Sequence, residues 1–300
     1  MNRCKLETGD PRWPATLDDL GEVGPSLRVS ALWVDGELPP LPGVAVVGAR
    51  RASAAGAEVA TRIGRELGRR GITVVSGLAV GVDTAAHRGC LAGGGRTVAV
   101  LGCGLDVDYP PQNRPLRELV VASGALVSEY GLDDAPIAWR FPNRNRIIAA
   151  MARAVVVVEA RAESGALSTA RWAADLGREV LAVPGSILSA ANAGSNRLLR
   201  DGVRPYLDVT DLADVFDQCG DTLPGINPAA SNTDRATFAN HSSSITRRLL
   251  ELLGTEPVHR EVLGRALDIG AADLAVLVGE LELAGSVRSA AGGFVSRSQL

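Results

Sequence analysis

Chemistry in this chain has to begin with arginine. Between Ala135 and Val158 there is no acidic residue, yet the stretch holds Arg140, Arg144, Arg146 and Arg153, with Trp139 and Phe141 among them. Pro142 suits the first turn of a helix and sets Arg144 and Arg146 near its N-terminal end. Two cations there oppose the helix dipole, and an anionic ligand would relieve them. Arginine beside an exposed aromatic is also what a single-stranded nucleic acid needs: phosphate neutralisation plus a stacking face worth roughly 1–3 kcal/mol per base. The same composition fits two buried aromatics beside a solvated basic face, and both readings stand at this point.

Candidate catalytic groups are sparser. Asp83 and His87 lie four apart, on one face of a helix. They fit an acid–base pair, or a helix-capping aspartate and a packed histidine. Ser76, Ser128, Ser164 and Ser168 lack the GxSxG elbow and a histidine partner. Glu129 and Glu159 end apolar runs and could orient a ribose or an arginine. No two carboxylates stand out as a catalytic pair. Four cysteines without a CxxC and three scattered histidines argue against a disulfide framework and a metal cluster, so no metal or other cofactor is expected.

The elements that must position these groups follow from periodicity. Apolar, β-branched runs occur at Val44–Val47, Ile72–Val75, Thr97–Leu101, Ala125–Val127, Ala154–Val158 and Glu179–Val183. Helical compositions fill 53–70, 82–92, 113–122, 143–153 and 165–176. Strands apolar on both faces that alternate with helices predict an α/β domain, an extended Rossmann-like, doubly wound and mostly parallel sheet. Ligands of such sheets bind outside the carboxyl ends of the strands. There the chain reads Gly48-Ala49-Arg50-Arg51, Ser76 to Asp83, Gly102 to Asp106, and Glu159 to Gly165 with Ser164 before the next helix. Four turns of small residues on one edge predict an anion-binding rim of backbone N–H groups. Neither GxGxxG after the first strand nor GxxxxGK[ST] is present, which argues against a dinucleotide fingerprint and a P-loop.

Around this domain, residues 1–40 read as an extended lead-in, 41–216 as the Rossmann-like domain and 217–244 as a polar linker. Residues 245–300 read as a winged helix, with helices at Ile245–Leu253, about His259–Leu267 and about Ala271–Ala284 before a two-stranded wing with a Gly-Gly turn. The last helix carries Asp273, Glu280 and Glu282 and no arginine, which favours a protein contact over groove reading. Of 300 residues, 46% are hydrophobic and 22% charged, for a formal net charge of −3. Any nucleic-acid site is therefore a local basic patch on an acidic body. Lys5 is the only lysine among 31 basic residues. No apolar run reaches a membrane span and no signal peptide is read at the N-terminus, which makes the cytoplasm the expected location.

Several long stretches in order resemble the DNA-processing protein A family (DprA, also called Smf). They are Ser76 to Gly89, Ala99 to Asp106 with Tyr109-Pro110, Phe141 to Ala149, Ser164 to Ala170, and Ala182 to Gly185. The resemblance implies a single-stranded-DNA-binding domain that protects incoming DNA during natural transformation and loads the RecA recombinase. It implies a homodimer formed through about 194–216 and no catalytic turnover. The family's arginine after the first strand falls on Arg50 and its aromatic on Phe141. The implied DNA path crosses Gly48, Arg50, Phe141, Arg144, Arg146, Ser164 and Gly165, with Arg51 and Arg140 as further cations. The chain departs from the pattern at Ala49 for serine, at Pro111 and Ala138 for lysines, and in lacking most of a helical N-terminal module. The competing enzyme expectation is a nucleotide phosphoribohydrolase on a related Rossmann variant. The turn Glu163 to Thr169 lacks the second glycine of that group's PGGxGT-type motif.

Overall fold

The computed structural model describes residues 3–217, 248–250, 252–253, 257–267, 269–283, 286–290 and 292–297. The chain divides into two compact units, residues 1–226 and 227–300.

The first unit is built on β1 (Arg3–Glu7), β2 (Ala31–Gly36), β3 (Gly43–Val47), β4 (Val74–Ser76), β5 (Thr97–Val100), β6 (Ala125–Ser128), β7 (Ala152–Val157), β8 (Glu179–Ala182) and β9 (Arg204–Pro205). They form one sheet in the order β1-β2-β6-β5-β4-β3-β7-β8-β9. Every pairing from β6 to β9 is parallel, while β1–β2 and β2–β6 are antiparallel. Every residue of β3 is buried, because helices cover both faces of the sheet. On one face α2 (Ala54–Arg69) and α3 (Val82–Ala92) set Ile63, Leu67, Val82 and Ala86 against Val44 and Val156. On the other, α5 (Arg140–Ala150) and α6 (Ala166–Asp175) set Ile147, Ile148, Ala166 and Ala170 against Ala45 and Val155. Helix α4 (Arg114–Ser123) packs Leu116 and Val120 over Ala99 and Leu126, and the short α1 (Asp19–Val23), with Leu20 buried, precedes β2.

The chain runs outward from β3 to β6 and then crosses back to start β7 on the other side of β3. The order therefore reverses at β3/β7, and a crevice opens at the carboxyl ends of these two strands. Helix α5 is the crossover, so its N-terminus comes up at that edge. The topology alone brings the turn after β3, the turn after β7 and the basic start of α5 together.

Residues 1–40, expected as an extended lead-in, instead contribute β1 and β2 to the sheet, with Leu6, Leu32 and Val34 buried. Their alternation of buried and exposed residues is short and lies among Pro, Gly and Asp, whose turn signals outweighed it. Helix α5 starts at Arg140 rather than 143, with Pro142 inside its first turn, and β7 starts at Ala152 rather than Ala154.

The second unit has helices Arg260–Leu267 and Ala271–Leu283 and a sheet ordered β10 (Val258–His259), β12 (Phe294–Arg297), β11 (Val287–Ala290). Leu249, Leu263, Leu274, Val278, Val287 and Val295 form its core. The wing has three strands rather than the expected two, because Val258–His259 pairs with β12. Its turn passes through Gly292 and Gly293, both at positive φ. Apart from Asp217 the expected linker lies outside the described residues, as does the start of the expected helix Ile245–Leu253, of which 248–250 and 252 are helical.

Candidate functional site

A cleft of about 350 Å³ opens at the β3/β7 switch point. Gly48, Arg50 and Arg51 line it from the turn after β3, Arg161, Ser164 and Gly165 from the turn after β7, and Phe141 and Arg144 from α5. Phe141 also lines a smaller adjoining pocket with Gly102, Tyr109 and Pro110. The Phe141 ring is half-buried, with the Arg50 guanidinium 5.1 Å from its centre and the Tyr109 ring at 5.3 Å and tilted by 42°. A side chain at Gly102 would put its Cβ 2.8 Å from Phe141 Cδ1, so the bare backbone there lets the ring lie over β5's carboxyl end.

The Arg50 turn is anchored at both ends by one residue. Glu159, at the end of β7 and 2% exposed, accepts the Ala49 N–H on its backbone oxygen at 2.7 Å. Its carboxylate accepts the Ser53 N–H and hydroxyl, each at 3.0 Å. Ser53 in turn caps α2 by accepting the Gly56 N–H. Arg50 and Arg51 are exposed between these anchors, as is Arg161 across the cleft. Among the described residues, no carboxylate pairs with any of the three. Exposed Glu163 and buried Asp83 are the acids among the residues lining the cleft.

The second strand-end turn is held from below. Asp83 is buried and accepts the N–H groups of Gly77 and Ala79 at 3.2 Å, while Asn113 donates to Leu78 O at 2.8 Å. These bonds keep Leu78 in the left-handed region at φ 57°. Burial raises the Asp83 carboxyl above its ordinary range, against the opposing pull of Arg144.

The two helix arginines are placed differently from the expectation of two phosphate ligands. Arg144 is 4% exposed and donates to Gly77 O at 2.8 Å and to Val100 O. Burial lowers its pKa to about 10, so it remains a cation fixed beneath the cleft, its guanidinium filling the place of a side chain at Gly77. Arg146 does not line the cleft. It makes a two-pronged pair with Glu129 at 2.7 and 2.6 Å and donates to Leu27 O, tying α5 to the residues before β2. Arg140 is also engaged, with Asp134 at 2.9 Å and over the Tyr130 ring at 4.6 Å. Asn145 closes the far wall, donating to Gly165 O and Ser168 Oγ.

Of the expected residues, the structure thus gathers Gly48, Arg50, Arg51, Phe141, Arg144, Ser164 and Gly165 at one cleft, and it sets Arg140 and Arg146 outside it. Arg161 is the addition. It stands inside a turn whose glycine and serine drew attention, and its nearness to Arg50 follows only from the strand order. Of the two readings of the aromatics, the buried one fails: Trp139 is 59% exposed and Phe141 faces the cleft.

Asp83 and His87 do not form an acid–base pair open to a substrate. His87 is fully buried, with Nδ1 2.7 Å from Thr97 Oγ1, and burial pulls its pKa down to about 3, so it is neutral. Glu159, which could have oriented a ribose, turns its Oε2 to Ser53 and is not part of the cleft wall. Among the described residues no group of three or more His, Cys, Asp or Glu is placed to hold a metal, and no helix is long and apolar enough to cross a membrane.

The family model described as DNA recombination-mediator protein A matches residues 5–217, and that of the DprA winged helix domain matches 233–293. DNA processing protein DprA of Streptococcus pneumoniae is 41% identical over 181 residues, 60% of this chain and 64% of that protein. Protein Smf of Escherichia coli is 36% identical over 268 residues, 88% of this chain and 71% of that protein. Protein Smf of Synechocystis is matched over 52% of its length, so the chain spans about half to two thirds of several curated relatives. Among solved structures, the S. pneumoniae DNA processing protein A superposes with TM-score 0.64 at 36% identity, over 71% of this chain and 74% of that one. The Helicobacter pylori protein, whose structure describes a single-stranded DNA binding mode, superposes with TM-score 0.63 at 27% identity, over 74% of this chain and 98% of that one.

Proposed function

This chain belongs to the DNA recombination-mediator protein A (DprA, Smf) family, and from that premise we propose that it binds single-stranded DNA across the β3/β7 cleft. The observation that carries this is the Arg50 guanidinium stacked on the cleft-facing Phe141 ring, with Arg51 and Arg161 on the same rim and unpaired among the described residues. The cations neutralise successive phosphates, and Phe141 offers a face on which any base can stack. Backbone N–H groups at Gly48 and before α6 add phosphate contacts that carry no sequence information. A duplex keeps its base faces stacked away from such a ring, so single strands are preferred.

In the cell this binding serves to protect incoming single strands and to load the RecA recombinase during transformation and recombination. The protein acts as a homodimer in the cytoplasm, by binding and handover rather than by turnover and without a cofactor. The H. pylori relative's single-stranded DNA binding mode supports the first step. The winged helix serves a protein contact.

The test is fluorescence anisotropy of a labelled single-stranded oligonucleotide, competed with unlabelled single strand or duplex. The expected result is salt-sensitive binding that single strands compete and duplex does not. Equal competition by duplex would overturn the single-strand assignment. RecA filament growth on the same strands, with and without the protein, tests the loading step.

A further inference from the structure

Two residues before Phe141, a second aromatic stands in the open. Trp139 is 59% exposed, against 9% for Trp13, while Trp33 and Trp172 are partly buried. Large apolar side chains left singly on a surface need no explanation, but this one is held in place. Its ring meets Tyr130 in a T-shaped contact at 6.3 Å, and Tyr130 is itself buried. The Arg140 guanidinium lies 5.7 Å from the Trp139 ring and is fixed by Asp134 and the Ala135 carbonyl. The Trp139 carbonyl accepts the Asn143 N–H, so its backbone belongs to the start of α5. A pinned, solvent-facing indole loses little freedom when a flat ligand covers it.

Its neighbourhood also suits a polyanion. The carboxylates of Asp134 and Glu129 are both paired with arginines, at 2.9 and 2.6 Å, which leaves exposed Asp133 as the acid of this stretch with no ion pair among the described residues. No acidic residue follows in the chain until Glu159. Across two residues the Cα atoms of Trp139 and Phe141 are at most about 7 Å apart. In a helical turn such neighbours face different sides. A strand stacked on Phe141 therefore reaches Trp139 only by bending around the N-terminus of α5.

We propose that Trp139 is a second stacking platform, which takes the base of a nucleotide leaving the cleft around the start of α5. This rests on the assignment of single-stranded DNA to the β3/β7 cleft, and it extends the bound path beyond the residues lining that cleft. The chemistry required of the ligand is an unpaired base next to one already stacked on Phe141. A free phosphate or a mononucleotide in the cleft does not reach it.

The experiment uses the full chain and a fluorescein-labelled oligothymidylate, with an abasic strand of the same length as the control. Trp139→Ala weakens oligothymidylate binding about 5- to 150-fold. The slope of affinity against salt stays unchanged, since no phosphate contact is removed. Trp139→Phe keeps most of the affinity, and the abasic strand binds wild type and Trp139→Ala alike. Wild-type tryptophan fluorescence falls as oligothymidylate is added, and most of that fall disappears in Trp139→Phe. Wild-type affinity in Trp139→Ala, with binding lost in Arg50→Glu, would overturn the platform and leave the cleft assignment intact. An equal loss on the abasic strand would also overturn it, by showing that Trp139 acts through the fold. A wild type that binds no oligothymidylate would remove the cleft assignment itself.

Discussion

The turn after β3 and helix α5 both carry pairs of arginines and use them in opposite ways. Arg50 and Arg51 follow a buried strand, stand exposed and have no carboxylate partner among the described residues. Arg144 and Arg146 are each 4% exposed and fully engaged, one with backbone carbonyls of two strand ends and one with Glu129. An acid-free stretch of sequence suggested that the helix arginines were the free ones. Their partners come from elsewhere in the chain, from Gly77 and Val100 and from Glu129. What separates a ligand-binding arginine from a framework arginine is whether the fold has already satisfied it.

That contrast can be broken most forcefully at Arg146. Arg146→Ala leaves the half-buried Glu129 carboxylate with Asn143 as its remaining side-chain donor and should lower stability by about 3 kcal/mol, the low end for a broken buried pair, in urea unfolding. Replacing both residues together, as Arg146→Met with Glu129→Leu, should recover most of the loss. If Arg146→Ala kept full stability and lost DNA affinity, the helix arginine would be a ligand after all. Phe141→Ala comes next. Removing the stacking face should weaken single-strand binding by roughly 1–3 kcal/mol, read by anisotropy, with the salt dependence preserved.

The frame beneath the cleft has its own pH signature. An unfolded histidine binds a proton below about pH 6.5, whereas buried His87 resists it until about 3. The unfolded chain therefore holds more protons in that window, and stability falls as pH drops from about 6.5 towards 3. His87 contributes up to about 1.4 kcal/mol per pH unit there. His87→Gln should flatten that part of the profile, and DNA affinity should show no break at the same pH. The smallest expected effect is at Arg161. Arg161→Ala should leave stability within about 0.5 kcal/mol and reduce the log–log salt slope by roughly 0.7.

Much of the architecture was readable because it is local. The runs Val44–Val47 and Ala154–Val158 are apolar on both faces, and the small residues after them mark the turns. The cleft's glycines and Arg50 follow from those boundaries. The roles of Arg144, Arg146 and Arg161 were not readable, since each depends on which distant element the strand order places beside it. Strands β1 and β2 were missed because their antiparallel edge needs only a brief alternation, and Leu6 and Leu32 carry it among turn-forming residues. Trp139's exposure likewise depends on Tyr130, which reaches it from the end of β6.

The most direct test of the division between ligand and framework arginines is the salt dependence of single-strand affinity in Arg50→Ala beside wild type. The expected result is weaker binding with a log–log slope shallower by roughly 0.7, and an unfolding curve that overlays the wild type. An unchanged slope, or an affinity loss that merely follows a loss of fold, would contradict the assignment of Arg50 as a phosphate ligand.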